Sequence, residues 1–81
     1  LKNNDIYDRI KNVLVEQLDV DIKKIEPESH IMNDLGGDSL QSLEVIMELE
    51  EEFDITIPDD ALDKIEKVSD MQKIVGELLE R

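Results

Sequence analysis

Ser39 is the side chain in this sequence best placed to do chemistry. It stands in Asp34-Leu35-Gly36-Gly37-Asp38-Ser39-Leu40, between a paired-glycine turn and a stretch rich in carboxylates. A hydroxyl at such a junction has three uses. It can cap a helix by accepting a backbone N–H of the first turn. It can act as a nucleophile, given a base and an oriented third group. It can also anchor a group whose chemistry the protein itself lacks. Asp38 competes for the first use, because Asp38 with Gln41 three residues on forms a capping-box variant. With Asp38 as the cap, Ser39 becomes the first helical residue and its hydroxyl faces solvent.

The nucleophile reading lacks its partners. Gly37-Asp38-Ser39-Leu40 matches the four-letter signature of one hydrolase family, but His30 is the only histidine and precedes the serine, whereas that family's histidine follows it. An 81-residue chain is too short, and this one too helical, for that α/β fold. Gln41 also stands where the G-x-S-x-G elbow needs its last glycine. His30, with no paired nucleophile, reads as an exposed loop residue. Metal sites fare no better. An EF-hand counted from Asp19 meets Lys23 and Lys24 at positions five and six, and one counted from Asn33 meets Leu35 and Asp38 at positions three and six. There are no cysteines and no G-x-x-x-x-G-K-[ST] loop. Only weak, nonspecific divalent binding to carboxylates is expected.

Charge narrows the partners. The formal net charge is −13, from 22 acidic and 9 basic residues. Nucleic-acid binders carry the opposite sign, and an anionic membrane surface would repel this chain. A protein with a basic patch is the natural complement. The chain begins at Leu1 rather than Met, as a processed or trimmed chain would, and LKNNDIYDR has charges where a secretion signal needs an apolar core. No apolar run approaches the roughly 20 residues that span a bilayer. A soluble, cytoplasmic monomer is expected.

The elements that must position Ser39 follow from apolar spacing. Ile6, Ile10, Val13, Leu14 and Leu18 form one helical stripe, so a first helix runs from about Asn4 to Leu18, with Asn3 or Asn4 at its cap. Asp19 to Gly37 shows no sustained period and reads as a long connection with a short helical turn, pinned by Val20, Ile25, Ile31 and Leu35. A second helix starts at Asp38 or Ser39 and ends near Phe53, with Leu40, Leu43, Ile46, Met47, Leu49 and Phe53 as its buried face. Pro58 opens a short third helix with Asp59 and Asp60 in its first turn. Ser69 to Gln72 reads as the capping box of a last helix, striped by Met71, Ile74, Val75, Leu78 and Leu79. Gly76 weakens that helix by about 1 kcal/mol relative to Ala. The fold class is all-α: a single domain over residues 1–81, a small four-helix bundle of three main helices and one short one, with a long first loop.

The stretch from Asp34 to Leu40, followed by Glu44, by Leu49-Glu50-Glu51-Glu52-Phe53 and by Ile57-Pro58-Asp59, resembles the acyl carrier protein family over essentially the whole chain. The resemblance implies the acyl-carrier fold and 4′-phosphopantetheine, drawn from coenzyme A, attached to Ser39 through a phosphodiester, with Gly37, Asp38 and Leu40 flanking it. It also implies a role as a shuttle without catalytic residues. The partners implied are a phosphopantetheinyl transferase and the acyl-chain synthesis or transfer enzymes, with basic docking patches. They would meet Asp38, Glu44, Glu48, Glu50 and Glu51 on the second helix and Asp59, Asp60 and Asp63 near the third, with Leu40 and Met47 as apolar contacts. Glutamates 50, 51 and 52 repel one another, which favours a selective reason for the run. The acyl chain would shelter among Leu43, Ile46, Ile57, Ala61, Ile65, Val68 and Ile74, all of which plain core packing also explains.

Leu35-Gly36-Gly37 replaces the family's most frequent Leu-Gly-Ala and is shared with peptidyl carrier domains of nonribosomal synthetases. Fatty-acid synthesis is the expected pathway. A carrier for polyketide, peptide or specialised lipid assembly is the near alternative. An acidic helical adaptor, with Ser39 as a cap only, is the alternative of another class.

Overall fold

The computed structural model describes residues 3–36 and 38–80. Four α-helices follow in order: α1 (Asn3–Leu18), α2 (Ser39–Phe53), α3 (Asp59–Leu62) and α4 (Val68–Leu79). A 3-10 turn at Ile22–Lys24 interrupts the long first connection. No strand occurs among the described residues. The α1 stripe is buried as its spacing requires, with Ile10 and Leu14 at 0% exposure. Asn4, one of the two expected caps, lies within α1 (Asn3–Leu18) rather than ahead of it. The helix stops at Asp19, whose left-handed backbone (φ 54°) turns the chain while its N–H donates to the Val15 carbonyl at 3.0 Å.

α1 packs against both α2 and α4, and the core runs between all three. The α2 face differs from the expected one. Val45, Ile46, Leu49 and Phe53 are buried, while Leu40, Leu43 and Met47 are 65%, 54% and 64% exposed. The sequence holds two apolar stripes on this helix, and apolar spacing alone does not say which one faces inward. Strong acidity with few aromatics can signal disorder, but the radius of gyration of 11.3 Å matches the ~12 Å of a packed chain this long.

The long connection is stitched to the α4 end of the molecule through its backbone. Ile31 N–H donates to the Glu66 carbonyl (3.0 Å), Val68 N–H to Ser29 (3.0 Å) and Ser69 N–H to Pro27 (2.9 Å), around an antiparallel bridge between His30 and Lys67. Ser29, the buried polar residue of the segment, accepts the Glu26 N–H on its hydroxyl at 2.9 Å. Ile25, Ile31 and Leu35 are buried, and Val20 is half-buried against the core. The start of α4 corrects the expected cap. Lys67 is the N-cap and Ser69 sits inside the helix. Asp70 takes over, accepting the N–H groups of Glu66 (3.0 Å) and Lys67 (2.9 Å) on one oxygen. Pro58 is likewise the N-cap of α3 rather than its first residue, and Ile65 lies beyond that helix.

Candidate functional site

The start of α2 is built by its cap. Asp38 accepts the Gln41 N–H at 2.7 Å, and Gln41 Oε1 accepts the Asp38 N–H at 3.2 Å, closing the capping box. The Ser42 hydroxyl donates to the Asp38 carbonyl at 3.0 Å. With capping done by Asp38, Ser39 is the first helical residue. It is exposed, and its hydroxyl has no hydrogen bond among the described residues. As the first two positions of a 15-residue helix, Ser39 and Leu40 have no carbonyl within it to receive their N–H groups. Gly36 supplies the turn before the site with φ 76°, a left-handed backbone that residues with a side chain rarely adopt. Gly37 lies outside the described residues.

Ser39 stands on the rim of a cleft of about 490 Å3, within the range of about 300–1,000 Å3 usual for small-molecule sites. One wall is α2, through Ser39, Ser42, Leu43 and Ile46. The other walls are the His30–Met32 segment and residues 62–66, and Met71 reaches in from α4. Of the residues expected to shelter an acyl chain, the cleft brings together Leu43, Ile46 and Ile65. Ile57 and Val68 are buried in the core and do not line it. Ala61 and Ile74 meet elsewhere, in a smaller depression of about 170 Å3 beside Pro58. The sequence reading missed Ile31, Leu62 and Met71 as lining residues. The available signal was that Ile31 and Met32 are adjacent apolar residues in a loop, only one of which can face the core.

His30 is half-buried, a correction to its exposed reading. Its backbone N–H donates to Asp34 at 2.7 Å, and its ring Nδ1 accepts the Asn33 N–H at 3.2 Å. Those bonds shape the turn before the glycines and leave the ring on the cleft wall rather than paired with a nucleophile.

The acidic residues sort into two sets. Glu44, Glu48 and Glu51 gather with Met47 and Gln17 around one surface depression. Glu50 is half-buried and accepts the Ile57 N–H at 2.8 Å. Glu52 pairs with Arg9 at 3.6 Å, and the Arg9 guanidinium lies 5.7 Å from the centre of the Phe53 ring. Two glutamates of the run 50–52 therefore have partners within the fold, and repulsion within the run needs no functional explanation. Asp59, Asp60 and Asp63 are exposed on and just after α3. Among the described residues no group of His, Cys, Asp or Glu could hold a metal ion, and no helix is long and apolar enough to cross a membrane.

Four helices among the described residues, with an exposed serine at a helix mouth whose hydroxyl has no partner among them, beside an apolar cleft, have the form of a carrier for a tethered group. Residues 8–75 match the phosphopantetheine attachment site family. Two relatives extend the match over nearly the full length. The acyl carrier protein of a Picosynechococcus species is 49% identical over 75 residues, 93% of each chain. That of Karelsulcia muelleri is 47% identical over 77 residues, 95% of this chain and 93% of its own. The chain belongs to the acyl carrier protein family. Its cofactor is 4′-phosphopantetheine, covalently held. The exposed, unbonded Ser39 hydroxyl and the unclaimed N–H groups beside it suit a phosphodiester.

Proposed function

We propose that Ser39 carries the 4′-phosphopantetheine arm, and that the whole chain works as one carrier domain, a monomer in the cytoplasm, for fatty-acid synthesis. The bound arm would supply a thiol that holds acyl groups as thioesters. The protein's own part is to present the hydroxyl, shelter the cargo and be recognised, with no catalytic residue of its own. What carries the reading is the Ser39 hydroxyl: exposed, unbonded, and on the rim of an apolar cleft. Electrostatics at the site are mild. The helix N-terminus favours an anion by about 0.3–1 kcal/mol, and the exposed Asp38 carboxylate opposes it by a similar amount. A covalent bond makes a tight anion pocket unnecessary.

Leu43, Ile46 and Ile65 take the acyl chain in the cleft, while Ile57, Val68, Ala61 and Ile74 support the packing around it. Recognition falls to Glu44, Glu48 and Glu51 with Leu40 and Met47 exposed beside them, and to Asp38, Asp59, Asp60 and Asp63 toward the cleft mouth and α3. Glu50 lies at the edge of this face and mainly holds Ile57. Enzymes with basic patches are the complement, and such pairing speeds encounter more than it deepens affinity.

The test is intact mass after incubation with a phosphopantetheinyl transferase and coenzyme A. Wild type gains one arm and Ser39→Ala gains none. The variant should keep its unfolding free energy, read from urea melts, within about 0.5 kcal/mol of wild type, as an exposed surface change does. A folded wild type that stays unmodified, or a Ser39→Ala that still gains mass, overturns the reading.

A further inference from the structure

The cleft has a floor made of three buried side chains, and they differ in stiffness. Ile31 (3% exposed) and Ile46 (8%) are β-branched and held to few χ1 rotamers. Met71 (1%) is unbranched, with three rotatable side-chain bonds. It is also the one α4 residue on the lining, and it belongs to the continuous core. Its backbone has little freedom. Its N–H donates to the Lys67 carbonyl at 3.4 Å, the preceding Asp70 caps the helix, and the backbone stitches at Ser29–Val68 and Pro27–Ser69 fix the same turn. Of the three buried side chains on the lining, Met71 is the one free to change rotamer readily.

We propose that Met71 is the specificity-determining residue for cargo length: it ends the cleft, and it swings aside to admit straight-chain acyl groups longer than the resting cleft holds. The inference rests on the cleft being the acyl shelter. Removing the side chain opens depth between α2 and α4. Replacing it with a β-branched residue of similar size leaves the resting cleft nearly unchanged but removes the ability to yield.

The experiment loads butyryl, octanoyl and dodecanoyl pantetheine arms onto wild type, Met71→Ala and Met71→Ile. It measures the rate of thioester cleavage by hydroxylamine, together with the melting temperature of each loaded form. In wild type, protection should grow from butyryl to octanoyl and continue to dodecanoyl. Met71→Ile should protect octanoyl as wild type does but cleave the dodecanoyl form faster, by about fourfold for each methylene no longer buried. Met71→Ala should extend protection of the dodecanoyl form. If Met71→Ala does not fold, the Met71→Ile comparison decides. Equal length profiles in wild type and Met71→Ile overturn the role of Met71 and leave the shelter standing. Absence of protection at every length in wild type overturns the shelter itself, and with it this inference.

Discussion

Glu50 and Glu51 are adjacent, chemically identical and differently employed. Glu50 bends toward the chain after the left-handed turn at Asp54 and accepts the Ile57 N–H, whereas Glu51 faces the acidic depression on α2. Glu50→Ala leaves that half-buried N–H without its acceptor and should lower stability by about 1–2 kcal/mol. Glu51→Ala should change it by less than about 0.5 kcal/mol. Urea midpoints of the two variants check this, and equal midpoints would refute the assignment. The division could not be read from a run of three glutamates, because it depends on where the chain returns after α2. The exposure of Ser39 was more legible, since Asp38 and Gln41 stand at capping-box spacing in the sequence. Leu40 and Met47 were ambiguous for a physical reason: a helix with apolar residues on two faces offers two equally periodic solutions.

α4 begins on a carboxylate rather than a hydroxyl. The Lys67 N–H above all holds the Asp70 carboxyl below its ordinary value of 3.8; burial opposes it, and the Glu66 N–H and the Lys67 and Lys73 charges add smaller downward effects. A depressed value in the folded state means the ionised form is favoured by folding. Its contribution is therefore fully present above 3.8 and disappears as the pH falls through the lower, folded value. Asp70→Asn should lower stability by about 1 kcal/mol at neutral pH. Urea midpoints taken down an acid series should show the gap to wild type closing below 3.8, and a gap independent of pH would contradict the role. The existence and order of the helices were legible because each has its own stripe. The α4 cap was not, because Ser69 and Asp70 both suit a helix start and the stitches to Pro27 and Ser29, which fix where the helix begins, are contacts distant in sequence.

At the scale of the molecule the excess charge acts against folding. Three ion pairs occur among the described residues, all at the surface although Lys11 is half-buried, and such pairs contribute about 0–1 kcal/mol each. They do not offset a net charge of −13. Added salt should therefore stabilise the fold by screening, and relief of about 1 kcal/mol would raise the melting temperature by roughly 4–8 °C. Glu44→Lys should raise it in the same direction while slowing arm loading at low salt. A melting temperature indifferent to salt, or unchanged loading kinetics, would count against the respective claim. The loop seam that carries one cleft wall is held by main-chain bonds from Ile31, Val68 and Ser69, with a single exposed Lys67–Glu28 ion pair (3.3 Å) across it among the described residues. Mutational drift at Met32, Asp63 or Glu66, whose side chains line the cleft without holding the seam, can therefore rewrite the chemistry of the rim while its scaffold survives. A lineage can change its cargo by ordinary point substitutions without first inventing a new architecture.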